Sequence, residues 1–123
     1  LSQQTILIVE DSELNRRLLE AVLEPHGYRL LVAENGERGI ELARAERPDL
    51  ILMDVLLPGI DGYEATRKLR VDPATRQLTI VALTATATSE EQEQALAAGC
   101  DGYIPKPIDT RAFPDQISEF LPH

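Results

Sequence analysis

Apolar residues along this chain follow two patterns. Three short aliphatic runs, Thr5–Val9, Leu50–Met53 and Thr79–Leu83, are continuous and bounded by polar residues. A continuous run of that length suits a strand covered on both faces, as in a parallel sheet flanked by helices. Tyr28–Ala33 and Gly102–Ile104 read as weaker strands. Between the runs, apolar positions recur at the helical period. Leu14, Leu18, Val22 and Leu23 predict a helix over Glu13–Glu24, ending before Pro25 and Gly27. Gly36–Glu46 is a second helix, with Ile40 and Ala43 inward and Pro48 as its stop. Tyr63–Arg70 is a third, with Asp61 as N-cap. Ser89–Ala98 is a fourth, with Ser89 as cap, acids in its first turn, Gly99 as stop, and mainly Ala95 and Leu96 to anchor it. The last runs from about Thr110 to Leu121, with Phe113, Ile117, Phe120 and Leu121 on one face. Pro114 conflicts with a cap at Asp109, because it would sit one turn too deep; either the helix begins later or its first turn is distorted.

The resulting order is βαβαβαβαβα. Such alternation folds as an α/β domain, an open parallel sheet with helices on both faces. At 123 residues, without repeats or an internal linker, residues 1–123 read as one domain. In such sheets the site lies at the carboxyl ends of the strands, near the point where strand order reverses.

The residues that follow the buried runs therefore matter most. Glu10 and Asp11 follow Ile6–Val9, Asp54 follows Leu50–Met53, Thr84 follows Ile80–Leu83, and Pro105 and Lys106 follow Gly102–Ile104. Each has an ordinary explanation taken singly: an acid capping the next helix, a β-branched strand residue, a surface lysine. Together they deliver three carboxylates, a hydroxyl and an ammonium to one sheet edge. Three crowded carboxylates repel one another, and a divalent cation relieves the repulsion; hard oxygen donors favour magnesium or manganese. An aspartate is a workable nucleophile for phosphorus in that setting. A cation and an ammonium offset the charge on phosphoryl oxygens in flight, and a hydroxyl can donate to them.

Composition narrows the choice of partner. Acids number 21 against 12 bases, a formal net charge of −9. That sign disfavours direct contact with nucleic acid or an anionic membrane and suits a clustered cation site. Aromatics are scarce and Trp is absent, so the core must be aliphatic. Cys100 is the single cysteine, which excludes an internal disulfide and a cysteine zinc site. No apolar run approaches the length of about 20 residues that spans a bilayer. No signal peptide is visible, and cytoplasm is the expected location. Leu1 in place of Met suits a processed product or a segment of something longer.

Four stretches, VEDSELNRR, ILMDVLLPGIDGYE, ALTATAT and GYIPKPID, resemble the signature stretches of response-regulator receiver domains, in the expected order. The resemblance runs from about Thr5 to Leu121. It implies a doubly wound, flavodoxin-like sheet of five strands in the order 2-1-3-4-5. It implies Asp54 as phosphoacceptor, Asp11 as direct metal ligand, Glu10 as a ligand through water, and the main-chain carbonyl of Leu56 as a further ligand. Thr84 becomes the switch hydroxyl, Tyr103 the switch aromatic, and Lys106 the contact to the phosphoryl group, with a cis peptide before Pro107. Magnesium, or manganese, is the implied cofactor. The phosphoryl donor would be a histidine kinase, a histidine phosphotransfer protein or a small phosphodonor, since neither His26 in its loop nor His123 at the terminus qualifies as a carrier. A downstream protein would read the surface made by the Ser89–Ala98 helix, the Gly102–Ile104 strand and the last helix.

Two departures stand out. Glu10 occupies a position where many members have Asp, a variant that resembles receivers attached to hybrid kinases. Leu56 sets an apolar side chain beside the acceptor, with Thr86 sharing the rim; water would reach an acyl phosphate less easily there. Other readings fit less well. A haloacid-dehalogenase-type phosphatase needs a second Asp where Leu56 stands. A flavin or nucleotide carrier needs a Gly-rich loop where Glu10-Asp11-Ser12-Glu13 stands. A degenerate receiver that only docks partners is the alternative, and it conflicts with the complete set of chemical residues. The chain is read either as a stand-alone regulator or as a segment of a hybrid kinase or larger regulator.

Overall fold

The structure, a computed structural model, describes residues 3–85 and 88–121. Its strands are β1 (Thr5–Val9), β2 (Arg29–Ala33), β3 (Leu50–Asp54), β4 (Ile80–Thr84) and β5 (Gly102–Pro105). Its helices are α1 (Glu13–Leu23), α2 (Gly36–Glu46), α3 (Gly62–Val71), α4 (Ser89–Ala98) and α5 (Phe113–Phe120). All strand pairs are parallel, in the order β2-β1-β3-β4-β5. The order reverses between β1 and β3, which opens a crevice at their carboxyl ends.

Strand alternation divides the core into two layers. Leu7, Val9, Ile51, Met53, Ile80 and Ala82 pack with Ala43, Ala65, Leu69 and Ala95 of α2, α3 and α4. Ile6, Ile8, Leu50, Leu52, Val81 and Leu83 pack with Leu19 and Leu23 of α1 and Phe113 and Ile117 of α5. The same parity carries to the strand ends. Glu10 and Asp54 fall on the α1/α5 side, whereas Thr84 falls on the α4 side. Tyr103, opposite Ala82 on the neighbouring strand, packs on that second side too.

The helices start where their caps dictate. Ser12, Asn35, Asp61 and Thr88 each accept a backbone N–H from the first turn of α1, α2, α3 and α4. The cap of α4 is thus Thr88, with Ser89 already helical. The Pro114 conflict resolves by a late start: α5 begins at Phe113, so its proline sits in the first turn, where no donor is lost. Asp109 caps the preceding turn instead, accepting from Arg111 N at 3.0 Å.

Two buried faces differ from the sequence expectation. On α1 the core takes Leu19 and Leu23, while Leu14 is 78% exposed and Leu18 is also exposed. On α4 the anchors are Ala95 and Ala98, and Leu96 points outward. Both helices carry more apolar residues than their share of the core can cover. Among the described residues, no helix is long and apolar enough to cross a membrane.

Candidate functional site

β1 and β3 are buried neighbours, so the acids at their ends are held side by side. Glu10 is 1% exposed and Asp54 is 3% exposed. Asp11 follows at the surface. One oxygen from each of Glu10, Asp11 and Asp54 lies within 4.8 Å of the others. Such crowding has an electrostatic cost, and one cation within the chain offsets it. Lys106 Nζ donates to Glu10 Oε1 at 2.9 Å and to Asp54 Oδ2 at 3.0 Å. Burial alone would lower the Lys106 pKa; hydrogen bonds and charge from Glu10 and Asp54 outweigh it and hold the ammonium above its ordinary value.

Main-chain donors fix the remaining carboxylate oxygens of Glu10 and Asp54. Ser12 N donates to Glu10 Oε2 at 3.2 Å, and Leu56 N donates to Asp54 Oδ1 at 3.1 Å. Arg16 reaches back from α1 to donate to the carbonyls of Glu10 and Asp11. Lys106 is placed by its own backbone: its N–H donates to the Thr84 carbonyl at 2.6 Å, and the Lys106–Pro107 peptide is cis. Thr84 itself is fully buried at the end of β4. The structure thus brings Glu10, Asp11, Asp54 and Lys106 into one polar cluster, with Thr84 held at the adjacent strand end and Tyr103 half-buried behind it. Leu56 stands in the turn beyond Asp54, its side chain 69% exposed. Thr86 and His123 lie outside the described residues, and His26 stacks on Tyr28 in a short 3-10 turn after α1.

Three contributors escaped the sequence reading. A Cβ at Gly62 would come within 2.2 Å of the Asp54 carbonyl, so only glycine lets α3 start this close to the end of β3. Ser12 and Arg16 tie the acidic pair to α1. Their signal was the SELNRR segment directly after the acids, which resembles an ordinary helix start. Beside the cluster, α1 and the turn after β5 enclose a groove of about 70 Å³, lined by Asn15, Leu18, Lys106, Pro107 and Ile108 among others.

Comparison with known proteins decides the family. Residues 6–118 match the response regulator receiver domain. The chain belongs to this family. As a receiver domain of two-component signalling, it has well-matched relatives. It is 40% identical over 118 residues to the polar-differentiation response regulator DivK of Brucella anthropi, covering 96% of each chain. The receiver domain of the sensor histidine kinase PA1611 of Pseudomonas aeruginosa, solved with a magnesium ion in its active-site cleft, superposes with a TM-score of 0.88 at 37% identity, covering 97% of this chain and 98% of that one. The receiver domain of Saccharomyces cerevisiae Ssk1, solved with the histidine phosphotransfer protein Ypd1, superposes with a TM-score of 0.88 at 29% identity, covering 97% and 89%. The acidic cluster of this receiver domain is one that could hold a metal ion.

Proposed function

We propose that Asp54 accepts one phosphoryl group from the phosphohistidine of a kinase or phosphotransfer protein, or from a small phosphodonor. A carboxylate oxygen of Asp54 forms the new O–P bond as the donor's bond to phosphorus breaks: the P–N bond of phosphohistidine, whose electron pair leaves with the imidazole, or the P–O bond of acetyl phosphate, whose pair leaves with acetate. The observation that carries this reading is the single ammonium of Lys106 shared between Glu10 and Asp54, with Asp11 alongside. Lys106 against three carboxylates, with the Arg16 guanidinium turned to the Glu10 and Asp11 carbonyls rather than to a carboxylate, still leaves the site negative. Its hard oxygen donors fit magnesium, or manganese, which Asp11, Asp54 and the Leu56 carbonyl would hold directly and Glu10 through water. The bound ion would supply positive charge against the phosphoryl oxygens. Lys106, already between two oxygens, would turn one donor toward the incoming group. Asp54 Oδ1 is oriented by the Leu56 amide.

The donor's approach is supported by the exposed Leu14 and Leu18 beside the groove on α1, an apolar patch next to the acceptor. The Ssk1–Ypd1 relative supports a phosphotransfer protein as partner. Phosphorylation adds roughly 1.5 to 2 negative charges at the strand end. Thr84 is drawn toward them, Tyr103 follows on the same side of the sheet, and the α4-β5-α5 surface changes for a downstream protein. We read the chain as one receiver unit acting in the cytoplasm, consuming one phosphoryl group per cycle rather than turning over a substrate.

Incubation with acetyl phosphate or phosphoramidate and Mg²⁺, followed by intact mass, tests the proposal. The expected result is a gain of one phosphoryl group in the native chain and none in Asp54→Asn. No gain in either would leave a docking module.

A further inference from the structure

Both ends of α4 are tied to α3, but by unlike bonds. At the far end, Arg70 Nε donates to the carbonyl of Gly99, the C-cap of α4, at 2.8 Å. Gly99 has φ +109, and a Cβ there would meet Arg70 Cγ at 2.8 Å, so this end is closely fitted. At the near end, the hydroxyl of Tyr63 donates to Glu91 Oε2 at 2.5 Å. Tyr63 is half-buried in the first turn of α3, next to Gly62, whose N–H donates to the Val55 carbonyl at 3.1 Å. Glu91 sits in the first turn of α4, its N–H capped by Thr88 at 3.2 Å. One hydrogen bond therefore links the strand end carrying Asp54 to the helix that follows the Thr84 loop. Between these two ties, α4 buries only Ala95 and Ala98. Burial and the Glu91 carboxylate raise the Tyr63 pKa, so the phenol remains a donor across the physiological range.

We infer that the Tyr63–Glu91 hydrogen bond is a latch that holds α4 in its unphosphorylated position, and that α4 turns about the Arg70–Gly99 contact when the latch opens. The inference rests on Asp54 phosphorylation as proposed above. Thr84 closes β4 and Thr88 caps α4, so a shift of Thr84 toward a phosphoryl group acts on the near end of α4, and that end yields first because the far end is closely packed. Tyr63 is a positioning residue: it touches no reacting atom and acts through the helix.

Beryllofluoride with Mg²⁺, a phosphoryl mimic, titrated into the ¹⁵N-labelled full chain and followed by amide NMR, tests the latch. Tyr63→Phe removes one oxygen and should tighten apparent beryllofluoride binding by about three- to ten-fold, the ratio for one hydrogen bond of ordinary net strength. Without the mimic, the amides of Glu90 to Glu93 in this variant should lie part-way along the line from the free to the bound native positions, while those of Gly99 and Cys100 stay. Glu91→Gln keeps an acceptor oxygen and should give a smaller gain in the same direction. Unchanged or weaker binding in both variants overturns the latch while leaving the phosphoacceptor intact. A native chain as unresponsive as Asp54→Asn overturns both.

Discussion

The two poles of the sheet use the same kind of ion pair to opposite ends. At the amino pole of β4 and β5, Arg70 spends every arm of its guanidinium. It donates to the carbonyls of Gly99, Arg76 and Leu78 and to Asp101 Oδ2, which also accepts the N–H of Ile80. Asp49 at the start of β3 is likewise occupied, accepting from Thr5 N at 2.8 Å. At the carboxyl pole, among the described residues, Lys106 is bonded to two of three clustered carboxylates, and nearby Arg16 spends its bonds on main-chain carbonyls. One pole is balanced and closes off the fold. The other is left short of positive charge, which is a reason to bind something. The difference teaches that an ion pair marks function through what it leaves uncompensated rather than through its presence.

Truncation should separate the poles most strongly. Arg70→Ala leaves three carbonyls without their donor and should cost about 2–3 kcal/mol of unfolding free energy, the half-exposed Asp101 pair contributing under about 1 of it. Phosphoryl uptake per folded molecule should stay near native. Asp54→Asn should do the reverse, abolishing uptake while raising stability by about 1 kcal/mol without magnesium, because it removes one of the crowded charges. Urea unfolding of the two variants checks both signs, and a destabilised Asp54→Asn chain would contradict the view of the carboxyl pole as under-compensated.

Alkaline pH offers a second separation. The folded-state pKa of Lys106 is raised, by bonds to Glu10 and Asp54 that outweigh burial. Below the unfolded lysine value of about 10.4 both states hold the proton, and the contribution is fully present. Above it the unfolded chain releases the proton first, so stability falls as pH rises through the folded value. The stability difference between the native chain and Lys106→Met should therefore be flat to about pH 10 and shrink above it. Arginine side chains keep their proton throughout this range. The corresponding difference for Arg70→Ala should not shrink, because burial raises the Cys100 thiol and Arg70 only eases that rise, and parallel curves for the two variants would show that the poles titrate alike.

Legibility in the sequence followed the same division. The strand-end residues could be placed because continuous aliphatic runs fix both strand and direction, and the first polar residue after each run has one location. Even there the ends shifted: β3 and β4 each extend to include Asp54 and Thr84. Helix faces were harder. Leu14 and Leu18 share the period of the core stripe, yet Leu19 takes the buried place, since the period alone does not say which edge of a wide stripe meets the sheet. Leu96 and Ala98 exchange roles on α4 for the same reason. The bonds of Arg70 to Gly99 and Asp101 and the Tyr63–Glu91 tie join residues about 30 positions apart, and nothing local announces such a pair. Gly62 could be read only as a turn residue until the end of β3 was seen to run against it.

The smallest expected effect lies at the rim of the carboxyl pole. Leu56 is 69% exposed, although its amide is fixed on Asp54 Oδ1. An apolar side chain held there has no core to join, so its consequence falls on what approaches the acceptor. With Asp54 phosphorylated as proposed, attacking water must pass this side chain and finds no polar group on it to bind. Leu56→Asn supplies one, and should shorten the lifetime of the phosphorylated chain several-fold, on the order of 1 kcal/mol in barrier or less. Uptake from acetyl phosphate and unfolding free energy should both stay near native, because an exposed side chain contributes little to the core. Release of inorganic phosphate timed after removal of the donor measures this directly. An unchanged lifetime would assign the rim no part in protecting the phosphoryl group and would leave the charge balance of Glu10, Asp11, Asp54 and Lys106 as the whole of the carboxyl pole's chemistry.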